Sequence, residues 1–276
     1  AGVEVVTGTA VESLDPGDPA GAPAVVAGRE ADLVVGADGM HSRVRAALYP
    51  GREAVYSGFS SWRAIVPARF GDPTLRQYWG PRAEFGVMPV REDASYWYGY
   101  VALPERTTHD DELAAARARF ADWAAPVREI IDATVPEALL RHDVHHLPGG
   151  LPRCFTGRVV MIGDAAHGFV PTMGQGAASA LEDGLCVGLL VGRPVTQGAD
   201  LRAALADFDR QRRPRTRALG RASLASARFG SHLGGGWRQT VRNAIVRRTP
   251  SSVALRGADS VMGWTPPTSA LLDRRG

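Results

Sequence analysis

The sequence contains no lysine, since all 32 of its basic residues are arginine. This absence excludes enzymes that form a lysine Schiff base and nucleotide-binding loops that need a P-loop lysine. Cysteine is scarce as well. Cys154 and Cys186 are too few for a disulfide framework or a four-thiolate zinc site. With no secretory signal recognisable, two cysteines favour a reducing compartment, and we expect a cytoplasmic protein.

Long apolar runs and strong net charge are also lacking. The longest apolar stretch, near residues 185–191, is far shorter than a membrane-spanning helix, so we expect no membrane span. The formal net charge is only +3, which implies no strong field for an anionic membrane and predicts no nucleic-acid partner. A hydrophobic content of 45% is typical of a globular chain.

Two short apolar runs, Ala31–Gly36 (ADLVVG) and 158–163 (RVVMIG), have the pattern of strands buried on both faces of a parallel sheet. Between them, aromatic and polar residues alternate over 55–104, which predicts an antiparallel sheet with one face on a core. A nucleotide-binding sheet interrupted by a second domain gives this order. The sequence therefore predicts an α/β fold, with a Rossmann-like domain and an inserted α+β domain of mixed or antiparallel sheet.

Three helices are predicted from apolar spacing. Residues 110–131 form one helix whose buried face carries Leu113, Phe120, Val127 and Ile131. Residues 174–191 form a second helix, rich in small side chains. A third begins near Leu201, and we expect Pro214 to end or kink it.

The segment 157–184 (GRVVMIGDAAHGFVPTMGQGAASALEDG) concentrates the residues that suggest chemistry. Its strand ends at Asp164, and a carboxylate at the carboxyl edge of an α/β sheet commonly holds sugar hydroxyls. Pro171 then fixes a loop, and Gly174-Gln175-Gly176 opens a helix. Free N–H groups and the helix dipole would stabilise an anion at that helix start.

Segment 157–184 resembles the GD motif of FAD-dependent aromatic-type monooxygenases with the para-hydroxybenzoate hydroxylase fold. Residues 31–45 (ADLVVGADGMHSRVR) resemble the DG motif of the same family, and the two motifs occur in the family's order. The resemblance implies FAD as cofactor, NADH or NADPH as co-substrate, and O2 as oxidant. It also implies hydroxylation or epoxidation of an aromatic or other electron-rich small molecule through a flavin hydroperoxide.

The resemblance also implies roles for individual residues, although it assigns no catalytic residue. Asp164 would hold the ribityl or ribose hydroxyls of FAD. The residues that would face the isoalloxazine ring are Pro171, Gly174, Gln175, Gly176 and Ala177. Those that would shape the pyrophosphate region and assist the nicotinamide cofactor are Asp38, Gly39, Ser42 and Arg45.

One element of the family pattern is missing, because no G-x-G-x-x-G turn precedes Ala31. We therefore expect an N-terminally truncated member that lacks a βαβ unit of about 30 residues. The expected divisions are parts of an incomplete FAD-binding domain at 1–54 and 151–200, a substrate-binding domain at 55–150, and C-terminal helices with a tail at 201–276. The sequence leaves the oligomeric state open.

Four further features have a functional and an ordinary interpretation. Arg63, beside Trp62, is a candidate contact for an anionic substrate. We interpret the arginines of 210–217 as a solvated helix end rather than a phosphate site, and His167 as structural. The cluster of His142, Asp143, His145 and His146 has metal-ligand residue types but no evident fourth ligand, so we expect no metal.

Two alternatives to a monooxygenase stay open within the same fold. One is a non-hydroxylating flavin oxidoreductase. Tryptophan-type halogenases are disfavoured, because the resemblance would require a lysine and the sequence has none. The other alternative is a non-enzymatic, truncated remnant that cannot hold FAD.

Overall fold

The computed structural model describes residues 2–70, 74–250, 252 and 261–267. The described residues fall into two compact units: those of 1–55, 145–223 and 254–276 form the first, and those of 56–144 and 224–253 form the second. A geometric unit does not show which ligand it binds. The assignment of FAD and substrate to the predicted domains therefore stays a prediction.

The first unit contains two small sheets. The strands of one are β1 (Leu14–Asp15), β2 (Ala24–Val26) and β3 (Arg29–Ala31), and those of the other are β4 (Val34–Gly36), β10 (Phe155–Thr156) and β11 (Val159–Met161). β4 and β11 pair in parallel, as predicted, with Val35 opposite Val160. The prediction of burial on both faces is wrong for β4. Val35 is 41% exposed, because β4 is the last strand of its sheet in the described part of the chain.

The helices of the first unit follow strands β4 and β11 along the chain. They are α1 (Arg43–Leu48), α4 (Asp164–His167), α5 (Gly176–Cys186), a π-helical stretch (Val187–Gly192), α6 (Arg193–Thr196) and most of α7 (Leu201–Phe229). The predicted helix over 174–191 begins later, at Gly176, because Gly174 adopts a left-handed conformation with φ of +63°. Pro214 does not end α7, which continues to Phe229. None of the described helices has the length and apolarity to cross a bilayer.

Buried apolar side chains hold α5 and α7 in the first unit. Leu205 and Phe208 of α7 pack in one cluster with Cys186 of α5 and Val160 of β11. Each such side chain contributes about 1.5–3 kcal/mol when fully buried. Packing on both sides of Pro214 explains why α7 continues: Leu205 precedes the proline, Leu219 follows it, and both are buried.

The second unit is built on a five-stranded sheet in the order β6-β7-β8-β5-β9. Its strands are β5 (Val55–Val66), β6 (Arg76–Gly80), β7 (Ala83–Arg91), β8 (Ala94–Ala102) and β9 (Leu140–His146). β6, β7, β8 and β5 pair antiparallel, which confirms the predicted sheet. One face carries Trp62, Phe85 and Trp97, which pack in a single core with helical residues such as Ile130.

The predicted helix over 110–131 is wrong as one element, because two helices form: α2 (Glu112–Arg119) and α3 (Ala125–Asp132). Asp111 caps α2 by accepting a hydrogen bond from the backbone N–H of Ala114 at 2.8 Å. Pro126 lies in the first turn of α3, where its missing N–H does no harm, whereas a continuous helix would lose a hydrogen bond there. The four predicted core residues are all buried.

Candidate cofactor-binding site

The two parallel strands of the first unit bring two carboxylates to one edge of a sheet. Asp38 follows the end of β4 by two residues, and Asp164 follows the end of β11 by three. The backbone N–H of Ile162 donates to the carbonyl of Gly36 at 3.0 Å, so the strands stay together beyond their assigned ends. The two motifs, separated by more than a hundred residues, therefore meet where α/β sheets bind ligands.

Asp38 and Ser42 organise the loop that follows β4. The Ser42 hydroxyl donates to Asp38 Oδ1 at 2.5 Å and accepts from the backbone N–H of Arg45 at 2.8 Å. The other carboxylate oxygen of Asp38 accepts from the backbone N–H groups of Arg43 and Val44, at 2.8 and 3.1 Å. Both side chains thus satisfy the N–H groups that begin α1. Gly39 lies in this turn with φ of +78°.

Arg45 connects the two motifs directly. The residue is only 3% exposed. Nη1 donates to the carbonyls of Ala165 and Asp164 at 3.1 and 3.4 Å. Nε donates to the carbonyl of Arg52 at 2.9 Å, and Nη2 donates to the carbonyl of Met40. Arg45 therefore sets where the backbone of Asp164 lies, and a direct contact with a cofactor stays a prediction.

Asp164 presents a carboxylate that is available to a ligand. The residue is exposed, and its carboxylate oxygens have no hydrogen-bond partner among the described contacts. A Cβ atom added to Gly176 would lie 4.0 Å from Asp164 Oδ1, so this carboxylate borders the first residue of α5. The space beside it is kept open by the absence of a side chain at Gly176.

The turn before α5 leaves backbone N–H groups available. Pro171–Met173 forms a 3-10 turn, which the Thr172 hydroxyl ties to the carbonyl of Ser223 at 2.7 Å. Gln175 is the N-cap of α5 but makes no side-chain capping bond. The first helical hydrogen bond runs from the Ser179 N–H to the Gln175 carbonyl, at 2.9 Å. The N–H groups of residues 176–178 come before this first helical hydrogen bond, so they have no carbonyl partner within the helix. They can therefore stabilise an anionic ligand. A free carboxylate and free N–H groups side by side fit a dinucleotide cofactor.

A buried ionic network behind this turn was missed by the sequence interpretation. Asp183 Oδ1 accepts from Arg212 Nε at 2.7 Å, and Arg212 Nη2 lies 2.8 Å from Glu182 Oε2. Glu182 also binds Arg215, at 2.6 Å. Burial would raise the pKa of Glu182, but its hydrogen bonds with these arginines lower the pKa overall. The network fixes α5 against α7, behind the proposed ligand contacts.

The interpretation of residues 210–217 as a solvated helix end is wrong for Arg212, which is only 2% exposed. Spacing along α7 carries the signal that could have identified it. Leu205, Phe208, Arg212, Thr216 and Leu219 recur every three or four residues and are all buried. Arg212 therefore lies on the apolar face of the helix, where an arginine requires acidic partners.

The second unit carries a polar and aromatic group on the sheet face opposite its core. The Tyr98 hydroxyl donates to Glu84 Oε1 at 2.7 Å, and Gln77 Nε2 donates to the same oxygen at 3.0 Å. Burial raises the pKa of Glu84. Arg63 pairs across the sheet with Tyr98, and its Nη2 lies 3.3 Å from His142 Nε2. Contact of Arg63 with a substrate stays a prediction.

The histidine cluster of β9 has other partners. Asp143 accepts from Arg141 and from the Ser60 hydroxyl, each at 2.7 Å. The His145 ring lies against the ring of His41, with centroids 5.3 Å apart. In the described part of the chain, no group of three or more His, Cys, Asp or Glu side chains is placed to hold a metal ion.

Comparison with known proteins identifies the class to which this site belongs. Residues 2–223 match the family described as FAD binding domain, and the chain belongs to that family. FAD is thus its cofactor, and the predicted Rossmann-like α/β fold is confirmed. The solved structure of Klebsiella pneumoniae HpxO complexed with FAD and uric acid is similar, with a TM-score of 0.76 and 27% identity. That similarity covers 84% of this chain and 60% of the HpxO chain.

Several curated relatives match in sequence, among them the two that follow. The aurachin C monooxygenase/isomerase of Stigmatella aurantiaca is 39% identical over 189 residues, which cover 66% of this chain and 47% of the relative. The 2-heptyl-3-hydroxy-4(1H)-quinolone synthase of Pseudomonas aeruginosa is 32% identical over 231 residues, covering 81% of this chain and 58% of that enzyme. The chain therefore spans about half the length of the curated relatives that it matches.

Proposed function

We propose that this chain belongs to an FAD-dependent monooxygenase that uses NADH or NADPH and O2 to hydroxylate or epoxidise an electron-rich small molecule. The observation that carries the proposal is the meeting of the two motifs at one sheet edge. There the guanidinium of Arg45 holds the carbonyls of Asp164 and Ala165. The names of the relatives, among them a monooxygenase and a urate hydroxylase, support the same reaction class.

The residues of this edge have complementary tasks in the proposal. Asp164 accepts hydrogen bonds from the ribityl or ribose hydroxyls, as its free carboxylate allows. The N–H groups at the start of α5 stabilise negative charge on the ring system, helped by the helix dipole. Ala165 and Ala166 are buried behind Asp164 and exclude water from that side. When bound, FAD supplies the electron transfer and the activation of O2.

We assign the substrate contacts to the polar face of the second unit's sheet, where Arg63 and Tyr98 lie opposite each other. A tyrosine ring and a guanidinium together suit a small aromatic molecule that carries an acidic or carbonyl oxygen. Both cysteines are buried, unpaired thiols, which supports the proposed reducing, cytoplasmic location.

Flavin binding and oxygen incorporation test the proposal in two stages. The chain is titrated with FAD while visible absorbance and flavin fluorescence are followed. Asp164→Ala should weaken binding by about 10- to 100-fold, because a charge-assisted hydrogen bond is lost. Glu30→Ala, which removes an exposed carboxylate of the same unit, is the matched control and should bind FAD like the unmodified chain.

The second stage measures NADH or NADPH oxidation under ¹⁸O2 with candidate aromatic substrates. Incorporation of ¹⁸O into the product supports a monooxygenase. Oxidation of NADH or NADPH coupled to reduction of the substrate, with no ¹⁸O in the product, would instead show a non-hydroxylating oxidoreductase. A folded chain that takes up no FAD at saturating concentration would contradict the proposal and favour the non-enzymatic alternative.

A further inference from the structure

Charge is strongly segregated along the chain, although the net charge is only +3. No acidic residue occurs between Asp209 and Asp259. Within residues 224–250, which belong to the second unit, all charged residues are arginines: Arg228, Arg238, Arg242, Arg247 and Arg248. The average over the whole sequence hides this basic segment, which contains helix α8 (Trp237–Arg248).

Arg242 fixes the orientation of α8 on the second unit. Its side chain is buried, and Nη1 donates to the carbonyls of Phe229 and Gly230, at 3.3 Å each. The guanidinium also lies over the ring of Trp79, 5.3 Å from the centroid. Gln239 and Asn243 are also partly buried, so Arg242 and its neighbours form the side of α8 that packs on the unit, and the exposed residues form the outward side.

That outward side carries apolar residues where polar ones would be expected. Trp237, Val241 and Ile245 are 72%, 48% and 50% exposed. They are spaced four residues apart and therefore form one stripe along the helix. Exposed arginines accompany the stripe, namely Arg238, Arg247 and Arg248. A surface helix of a globular protein has the reverse pattern, with its polar residues outward.

The basic surface continues beside the start of α8. Arg82 and Arg228 line an open cleft together with Trp237 and Arg238. Arg82 and Arg228 are both exposed, and Arg82 lies on the turn between β6 and β7. Trp237 thus shares the cleft with three arginines, and no carboxylate is among the residues that line it.

We propose that α8 and this cleft dock on the surface of an anionic lipid bilayer. The apolar stripe would enter the boundary between headgroups and acyl chains, and the arginines would bind lipid phosphates. A helix of 12 residues is about 18 Å long, which suits a position along the surface rather than across the bilayer. Nucleic acid would satisfy the arginines but would leave the stripe in water, so the observations favour lipid. This inference is independent of the proposed oxygenase activity.

Sedimentation with vesicles tests the docking. The full chain is mixed with vesicles of phosphatidylcholine alone, or with vesicles in which phosphatidylglycerol makes up about a quarter of the lipid. Both mixtures are measured at low and high salt. We expect binding to the anionic vesicles only, weakened by salt. Arg238→Gln/Arg247→Gln/Arg248→Gln should lower the partition coefficient by about 100-fold, given the effect of each arginine near an anionic surface. Val241→Gln/Ile245→Gln, which keeps Trp237 as the reporter, should abolish insertion into the boundary, read as loss of the quenching of Trp237 by brominated lipid.

The matched control is Arg29→Gln/Arg69→Gln/Arg91→Gln, which removes the same charge from exposed positions outside α8 and should bind nearly like the unmodified chain. Thermal unfolding verifies that each variant is folded. Equal binding to neutral vesicles, or equal loss in the control, would overturn the proposal. So would a change of oligomeric state in the stripe variant without any vesicle binding by the unmodified chain, because a second copy would then be the partner.

Discussion

The imidazole of His167 and the carboxylate of Asp183 form a buried pair, with Nε2 2.6 Å from Oδ2 and side-chain exposures of 4% and 2%. The same carboxylate oxygen accepts the backbone N–H of Gly163 at 2.9 Å. Gly163 precedes α4 and His167 ends it, so one oxygen holds both ends of the short helix that begins with Asp164. Asp183 thereby positions the carboxylate that we propose to contact FAD.

Replacing Asp183 by asparagine should destabilise the chain strongly. The charge of Arg212 would keep only Glu182 as its partner in a buried environment, and breaking a buried pair costs about 3–5 kcal/mol. Denaturant unfolding measures the loss. Asp207→Asn is the control, because Asp207 pairs with Arg210 at the surface and should cost less than about 1 kcal/mol. Equal losses in the two variants would show that the buried network does not stabilise this unit.

The contribution of Asp183 should depend on pH in a defined direction. Burial alone would raise its pKa, but the hydrogen bond from His167 and the charge of Arg212 help to lower it below the ordinary value of 3.8. Since the folded state has the lower pKa, the stabilisation is complete above the ordinary value of 3.8. It is lost as pH falls from there through the folded-state pKa. The difference in unfolding free energy between the unmodified chain and Asp183→Asn should therefore be smaller at about pH 3 than at about pH 5. A difference that grows on acidification would contradict this sign.

Much of the site could be predicted because its signals are local. The run 31–36 and the strand before Asp164 each show a short apolar pattern that ends in glycine and aspartate. Parallel strands place such ends at one edge, so no further information was needed to bring Asp38 and Asp164 near each other. The antiparallel sheet of the second unit was predictable for the same reason, since alternation along a strand is a local property.

The interactions that orient the site could not be predicted in the same way. His167 and Asp183 are 16 residues apart, and Arg212 is a further 29 residues away, so only the packing of three elements brings them together. Arg45 reaches the carbonyls of Asp164 and Ala165 across the sheet, and backbone acceptors leave no trace in a sequence. The exposure of Val35 likewise depends on which strands flank β4 and not on its own composition.

Glu84→Gln in the second unit should stabilise the chain at neutral pH. Burial raises the pKa of Glu84, so the charged form is disfavoured in the folded state. Glutamine keeps the oxygen that accepts from Tyr98 and Gln77 but removes the buried charge. Because the folded state of the unmodified chain has the raised pKa, its own stability should increase as pH falls toward the ordinary value of 4.5, and the advantage of the variant should shrink. Thermal unfolding at several pH values measures both effects. A stability gain of the variant over the unmodified chain that is smaller at pH 8 than at pH 5 would contradict this prediction.

Two glycines of the turn before α5 should respond to alanine in opposite ways. Gly174 has a φ of +63°, so alanine there should cost about 1–2 kcal/mol of stability. Gly176 is the first residue of α5 and has open space around it, so alanine should leave stability unchanged or raise it by about 0.4–1 kcal/mol. Its new methyl group would nevertheless stand 4.0 Å from Asp164 Oδ1, in the space that a ligand hydroxyl would occupy.

We therefore expect Gly176→Ala to bind FAD at least about tenfold more weakly while unfolding no earlier than the unmodified chain. Flavin fluorescence titration and denaturant unfolding on the same preparations separate the two effects. Ala218→Gly, at an exposed position inside α7 of the same unit, lowers helix propensity and should reduce stability without weakening FAD binding beyond the loss of folded protein. If Gly176→Ala bound FAD as tightly as the unmodified chain, the start of α5 would not be the place where the cofactor lies.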